Sequence, residues 1–408
     1  MPEAVIVAAA RTPIGRAKKG SLKDFRPDDL AAFITQAALD KVPGLDPADA
    51  DDFILGCGLP GGEAGNNMAR VVTTLMGYEM PGTTVTRYCA SSLQSSRMAF
   101  HAIKAGEGDV FISGGVEMVS RFQFGTSDHI PNTRNPRFDE AVARSAAAAK
   151  GDGVTTADWR DPRSDGVMPD VYIAMGQTAE NVARMRGVTR EDADLFGVRS
   201  QNLAEKAIAD GFWAREITPV TTPDGTVVTA DDGPRAGVTY DGVKDLDPVF
   251  RPDGVVTAAN CCPLNDGAAA VVIMSDHKAA QLGLTPLARV VSTGVSGLSP
   301  EIMGLGPVEA TRNALRYAGM TIDDIDLVEI NEAFAAQVLP SASDLNIDID
   351  KLNVNGGAIA VGHPFGMTGA RLQNTMLNSL DWHDKTTGLI TMCVGGGQGM
   401  AMILERMS

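Results

Sequence analysis

Chemistry in this chain starts with a cysteine at a turn. Cys89 lies in Arg87-Tyr88-Cys89-Ala90-Ser91-Ser92-Leu93-Gln94-Ser95, which reads as a strand end (Thr83 to Arg87), a sharp turn, and a helix reaching about Ala105. The first turn of a helix leaves backbone N–H groups without partners. With the helix dipole, those groups favour a negative sulfur, so the position predicts a lowered thiol pKa and a nucleophilic thiolate. Taken alone, such a cysteine reads equally as a small buried hydrophobe.

Three further spots place a reactive group at a strand end or a glycine-rich turn. His363 sits in Gly356-Gly357-Ala358-Ile359-Ala360-Val361-Gly362-His363-Pro364, an apolar loop that can hold an imidazole against a thiol as a base. Backbone carbonyls would satisfy the same histidine structurally. Cys393 ends an apolar strand before Gly395, Gly396 and Gly397, and Gly395 allows its N–H to approach an oxyanion. A core cysteine beside a structural turn is the bland alternative there. Asn331, in Asn331-Glu332-Ala333-Phe334, reads first as a helix N-cap and second as a holder of water or a carbonyl.

The elements that position these groups alternate. Strands over Ala4–Ala9, 52–57, 83–87 and 109–113 interleave with helices over 28–41 and 67–76 and the helix after Cys89, which predicts an α/β layered domain with a largely parallel sheet. From about Arg121 to Asp253, Pro, Asp and Arg become frequent and strand signals fade. Only Met175–Arg186 and Thr189–Asp210 read there as helices, the second with a capping-box start at Thr189 and Asp192. The alternation resumes at Gly267, and a second series follows from Leu287, with a strand over Leu327–Ile330, helices from Glu332 and Thr368, and strands over 387–392 and 400–405. Both series hand a polar residue from strand to helix, Cys89 in one and Asn331 in the other, and each closes as strand, glycine turn, strand. The predicted division is 1–120 with 254–284, an insertion over 121–253, and 285–408. Two equivalent halves would bring the four spots to one cleft outside the strand ends.

Composition narrows the class. At 408 residues the chain is too long for one ordinary core, and 44% hydrophobic with 21% charged residues is a globular enzyme's balance. A formal net charge of −16 argues against nucleic acid or an anionic membrane as partner, though not against a small anion met by local basic groups. Five cysteines without a CxxC pair, and five histidines without ligand spacing, point away from disulfides and metal and toward a reducing, cytoplasmic setting. The chain enters a strand at once, ends without a peroxisomal address, and has no apolar run of membrane-spanning length.

Together the motifs resemble the thiolases. The resemblance rests on Cys89 in its turn, Asn331-Glu332-Ala333-Phe334, Gly357 through Pro364 with Thr368-Gly369-Ala370-Arg371, and Cys393-Val394-Gly395-Gly396-Gly397. It extends to Arg11-Thr12-Pro13-Ile14-Gly15, Gly114 through Ser120 with Glu117, Met175 through Asn181, and Asn265 through Ala269, in order over nearly the whole chain. It implies two similar βαβαβαββ halves in a layered α-β-α-β-α arrangement with an inserted loop domain. It also implies thiolytic cleavage of 3-ketoacyl-CoA through an acyl-cysteine, as in fatty acid β-oxidation. Cys89 would carry the acyl group, His363 would activate it, and Cys393 would move the second proton. His363 with a water on Asn331, and the N–H groups of Cys89 and Gly395, would form two oxyanion holes. No permanent cofactor is implied: coenzyme A is a substrate, contacted by Arg235, Cys262, Met175, Ala333 and Phe334, in a homodimer or homotetramer.

The chain departs from the family pattern twice. Cys262-Pro263 stands where members often carry Ser-Gly, and a thiol is the weaker donor toward the pantetheine arm. Ala174 stands where acetoacetyl-specific synthetic members often carry histidine, which favours a degradative enzyme over one condensing two acetyl-CoA. A ketosynthase on the same fold would use one cysteine and two histidines, against which Cys393 argues. A non-catalytic acyl-CoA-binding protein would not need the intact reactive set.

Overall fold

The structure, a computed structural model, describes residues 1–122, 134–150 and 161–408. Its first half contains β1 (Ala4–Arg11), α1 (Pro27–Leu39), β2 (Asp52–Cys57), α2 (Met68–Leu75), β3 (Gly82–Val85), α3 (Ser91–Ala105) and β4 (Val110–Met118). Helices α4 (Met175–Arg186) and α5 (Arg190–Ala209) follow in the insertion, and β5 (Asn265–Ser275) returns to the sheet. The second half contains β6 (Ala288–Gly297), α6 (Gly306–Ala318), β7 (Leu327–Ile330), α7 (Ala335–Asp344), α8 (Thr368–Trp382), β8 (Thr387–Val394) and β9 (Gln398–Arg406). Among the described residues, no helix is long and apolar enough to cross a membrane.

These nine strands run β7-β8-β9-β6-β1-β5-β4-β2-β3 in one continuous sheet, to which the two-residue strand Gly15–Arg16 adds a tenth by pairing with β5. From its outer edge inward, the first half orders its strands third, second, fourth, fifth, first. The second half repeats that order, with the single bridge of Leu352 to Val328 standing where its third strand would be. The halves meet where Val5 pairs with Arg289 and Ile6 with Ala288.

Alternation along the strands makes the layers. In β5, Ala268, Ala270, Val272 and Met274 pack outward with α1 and α2 residues such as Leu30, Ile34 and Val72. Ala269, Val271 and Ile273 pack inward with Leu93 of α3 and Leu372 and Met376 of α8. In β9, Met400, Met402 and Leu404 join that same inner layer, and Ala401 and Ile403 face Ala310 of α6 and Val338 of α7. Strands apolar on both faces need helices on both sides, which gives the expected α-β-α-β-α stack. Small residues let the central helices touch closely. A Cβ on Gly369 of α8 would stand 2.2 Å from the Leu93 nitrogen of α3.

The sheet is mixed rather than largely parallel. β2 runs parallel to β3 and β4, and β7 to β8, but β4/β5, β1/β5, β1/β6, β6/β9 and β8/β9 are antiparallel. The β8–β9 return takes only residues 395–397, too short for the crossover a parallel pair needs, and it uses Gly396 and Gly397 at φ 76° and 81°. The first half does not close through a glycine turn. Gly114 and Gly115 lie inside β4, and the insertion makes the return to β5. Nor are Cys89 and Asn331 equivalent. Cys89 precedes the helix after the third strand, whose counterpart is the loop of His363 before α8, and Asn331 follows the second strand. The helix placed from Glu332 begins at Ala335.

The insertion is anchored by buried polar contacts. Thr189 and Asp192 form the expected capping box of α5. Glu332 accepts hydrogen bonds from Ser200 Oγ (2.6 Å), Asn353 Nδ2 (2.8 Å) and the Ile359 N–H (3.1 Å). These spend its carboxylate on holding α5 to the second half.

Candidate active site

The turn that carries Cys89 is a single 3-10 turn over Tyr88–Ala90 between β3 and α3. Tyr88 sits at φ 44°, where a bulky side chain is disfavoured by about 1–3 kcal/mol. Two hydrogen bonds of Ser91 hold it: Oγ accepts from the Arg87 N–H at 2.9 Å and donates to the Tyr88 carbonyl at 2.6 Å. The bend places the partly buried Cys89 beside the glycine turn after β8, which packs against the ring of Tyr88. The expected lowering of the Cys89 pKa is not found. Burial pushes the thiol up to about 12, the nearby Glu117 charge adds to this, and the N–H groups of Gly395 and Cys89 offset only part of it. Desolvation of the anion outweighs the helix start.

Cys393, in β8, is 1% exposed, and its thiol is pushed up by burial and then by the charge of Cys89. The Cys262 thiol is raised by burial and by Cys261, Cys89 and Cys393. Burial, reinforced by the charges these sulfurs exert on one another, opposes their ionisation, so at rest Cys89, Cys262 and Cys393 are thiols. Cys393 and Cys262 belong to an apolar cluster with Met175, Ala333 and Phe334. The Cys262 N–H donates to the Ala333 carbonyl at 3.0 Å. A Cβ on Gly395 would stand 3.4 Å from the Tyr88 ring and 3.5 Å from Met175 Sδ, so Met175 reaches the same turn.

His363 occupies a second, adjoining set. The residue is 1% exposed, and its backbone N–H donates to Asn265 Oδ1 at 2.9 Å. Nδ1 lies 2.6 Å from Thr368 Oγ1, and that hydroxyl donates to the Pro364 carbonyl at 2.7 Å. A hydroxyl with its proton committed to a carbonyl can only accept from the ring, so Nδ1 carries the ring proton and Nε2 is the lone-pair nitrogen. Burial and the Arg371 charge push the imidazole down to about 3, which keeps it neutral.

Asn331 does not cap a helix, since α7 starts four residues later with Phe334 at its N-cap. Its Nδ2 lies 3.3 Å from His363 Nε2, and its Oδ1 accepts from Arg371 Nη2 at 3.4 Å. Because arginine only donates, it fixes which end of the amide faces the imidazole. Asn331 and Cys393 end adjacent strands, with Ile330 paired to Thr391 and the Asn331 N–H donating to the Thr391 carbonyl at 3.0 Å. Among the described residues no hydrogen bond joins His363 to a sulfur. The sets are coupled through packed α3 and α8, where Ser92 Oγ accepts from the Ala370 N–H at 2.8 Å.

Arg235 lies outside both sets. It is exposed, and its N–H donates to Gln201 Oε1 at 2.9 Å. Three other basic side chains of the insertion are paired with acids: Arg186 with Asp344 (2.6 Å), Arg190 with Asp194 (2.6 Å) and Lys244 with Asp241 (2.7 Å). Sequence reasoning assigned no role to Thr368, Arg371, Asn265 or Glu117. All four stand in motifs quoted above, but partners 5 to 249 positions away give them meaning.

The chain matches two protein families over most of its length: "Thiolase, N-terminal domain" at residues 4–277 and "Thiolase, C-terminal domain" at 284–406. It is 43% identical to a 3-ketoacyl-CoA thiolase of Bacillus subtilis, across 99% of this chain and 100% of that protein. Among solved structures it resembles the Bacillus anthracis acetyl-CoA acetyltransferase, with a TM-score of 0.86 and 36% identity over 100% of this chain and 99% of that one. It also resembles the human mitochondrial 3-ketoacyl-CoA thiolase in complex with CoA, with a TM-score of 0.84 and 35% identity over 100% and 98% of the two chains.

Proposed function

The chain belongs to the thiolase family, and from that premise we propose how its residues divide the reaction. The enzyme is an acyltransferase, a thiolase that cleaves 3-ketoacyl-CoA with CoA to give acetyl-CoA and a shortened acyl-CoA. Cys89 is the nucleophile. Nε2 of His363 takes its proton as the sulfur attacks C3 of the substrate. The C3 oxygen becomes an oxyanion, received by the N–H groups of Cys89 and Gly395. The C2–C3 bond breaks, its electron pair passes to C2, and the enolate oxygen of the acetyl-CoA part is held by His363 and a water on Asn331. Cys393 S–H delivers its proton to C2, and acetyl-CoA leaves. The thiol of CoA then attacks the Cys89 thioester, giving up its proton to the Cys393 thiolate. The C–S bond to Cys89 breaks, the Cys89 thiolate takes its proton back from His363, and the new acyl-CoA departs.

The packing of the Gly395 turn against the turn of Cys89, with Cys393 in the strand that this glycine turn follows, supports this reading most. A thiol raised to about 12 and an imidazole lowered to about 3 do not form a standing ion pair. The proton moves only as charge passes onto an oxygen that has donors waiting, each worth roughly 3 kcal/mol of barrier. Met175, Cys262, Ala333 and Phe334 line the acyl and pantetheine side, and Arg235 meets the nucleotide end of CoA. The chain divides into 1–120 with 254–284, the CoA-binding insertion 121–253, and 285–408, and works as a homodimer or homotetramer in the cytoplasm. Mass spectrometry after mixing with an acyl-CoA is expected to find the acyl group on Cys89 and none in Cys89→Ser. An adduct that survives the substitution overturns the assignment. Thiolysis across a 3-ketoacyl-CoA chain-length series separates the degradative role from the alternative, an acetoacetyl-CoA thiolase that condenses two acetyl-CoA and would accept only acetoacetyl-CoA.

A further inference from the structure

Glu117 is buried at the junction of three segments that come together at the site. Its Oε2 accepts the N–H of Gly58 at 2.7 Å and that of Gly366 at 2.7 Å, and its Oε1 accepts the Leu59 N–H at 3.1 Å and faces the Cys57 thiol at 3.9 Å. Gly58 and Leu59 follow β2 in the first half, and Gly366 stands three residues after His363 in the second. Phe365, beside Gly366, packs edge-on to the His363 ring with centroids 5.4 Å apart. On the other side, Thr86 Oγ1 donates to the Gly58 carbonyl at 3.0 Å, which ties the same junction to the turn of Cys89. The approach is close: a Cβ on Gly115 would stand 2.1 Å from the Gly366 carbonyl oxygen, and one on Gly366 would stand 2.5 Å from the Val116 carbonyl oxygen. The proposed reaction uses none of these contacts.

We propose that Glu117 is a positioning residue for that reaction: its carboxylate clamps the His363 loop to the half that carries Cys89, and sets a negative charge beside the nucleophile. The inference rests on the assignment of Cys89 and His363 made above. A carboxylate taking three backbone N–H bonds from two halves of the chain fixes both loops at once, which neither half can do for itself. The charged and titratable groups around the pair are few. Glu117 faces Cys57, and only Gly58 separates it from the turn of Cys89: a Cβ there would stand 2.6 Å from Glu117 Oε2 and 3.3 Å from the Tyr88 carbonyl oxygen. The Cys89 thiol also feels the charges of Glu117, Cys393 and Cys262. Burial raises the Glu117 carboxyl to about 7, so it is charged in mild alkali.

Two variants separate clamp from charge. Glu117→Gln keeps an oxygen for Gly58 and Gly366 but removes the charge, and alkylation of Cys89 by iodoacetamide at pH 9 is expected to speed up about tenfold. Glu117→Asp keeps the charge but withdraws the oxygens by one methylene. There kcat for thiolysis is expected to fall about tenfold or more, with KM for CoA within about threefold and the alkylation rate within about twofold of wild type. An unchanged alkylation rate in Glu117→Gln, or a wild-type kcat in Glu117→Asp, overturns the proposal. So does failure of both variants to fold, which marks a carboxylate that is merely structural. If the wild-type enzyme forms no acyl adduct at Cys89, the parent assignment has failed instead.

Discussion

Thr368 Oγ1 lies 2.6 Å from Nδ1 of His363 and donates its own proton to the Pro364 carbonyl, so the threonine dictates the imidazole tautomer. This leaves Nε2 bare on the side of Asn331. Thr368→Val keeps the shape and deletes the acceptor. The ring can then turn or exchange tautomers, and a base with its proton on the wrong nitrogen cannot accept another. We expect kcat to fall by about 10–100-fold with KM for CoA little changed. Thr368→Ser, which retains the oxygen, should recover most of the rate. Equal losses in the two variants would place the role of Thr368 in packing.

Cys393 and Cys89 separate in kinetics. Cys393 moves a proton both at C2 and at the CoA sulfur, but a thiolate can leave without its proton and a carbanion at C2 cannot, so Cys393→Ala should still be acylated at Cys89 by an acyl-CoA, more slowly than wild type. Cleavage of a 3-ketoacyl-CoA should fall by about 100- to 10,000-fold. The two measurements on one sample are adduct mass and thiolysis rate. Loss of both together would mean that Cys393 shapes the pocket rather than moving a proton.

The strands and the reactive set were legible because each is local. A six-residue apolar run such as Ala4–Ala9, which lies within β1, needs no partner to be recognised, and the Thr189–Asp192 cap is complete within four residues. The pairing direction of the sheet was not legible, because it depends on the return from β4 to β5 across the whole insertion. Electrostatics failed for the same reason. The turn at Cys89 was placed correctly, yet its N–H groups were weighed without the burial that other segments impose, so the thiol pKa went the wrong way. Asn331 read as a cap because its partners, His363 and Arg371, lie 32 and 40 positions on.

Burial of His363 makes a signed prediction about acid. The unfolded chain binds that proton below about 6.5, and the folded chain holds it off until about 3. Between those values the unfolded state carries more protons, so this group makes stability fall as pH drops, by up to about 1.4 kcal/mol per pH unit. The Glu117 and Glu329 carboxyls, raised by burial to about 7 and about 8, act in the opposite sense and cost stability as pH rises from about 4.5. The difference between wild type and His363→Asn isolates the histidine. Urea midpoints for the two should diverge steadily between pH 6 and pH 4, with wild type losing ground. Parallel curves would show that the imidazole is not held neutral.

Arg11 offers a test of how the insertion is bound to the sheet. Fully buried at the end of β1, it donates from Nε to Glu216 Oε1 at 2.5 Å and from Nη1 and Nη2 to the two oxygens of Asp231 at 2.8 and 3.0 Å. Both acids come from the insertion, and Asp231 also accepts the Ile14 N–H at 2.7 Å. Arg11→Met leaves two carboxylates buried near each other without their cation, which should destabilise the protein by about 3–5 kcal/mol. Neutralising the acids as well, in Arg11→Met/Glu216→Gln/Asp231→Asn, removes the uncompensated charge, and most of that loss should return even though the ion pairs are gone. Denaturation midpoints of the single and triple variants decide the matter. A triple variant no more stable than the single one would mean that the hydrogen-bonding geometry, rather than charge balance, holds the insertion in place.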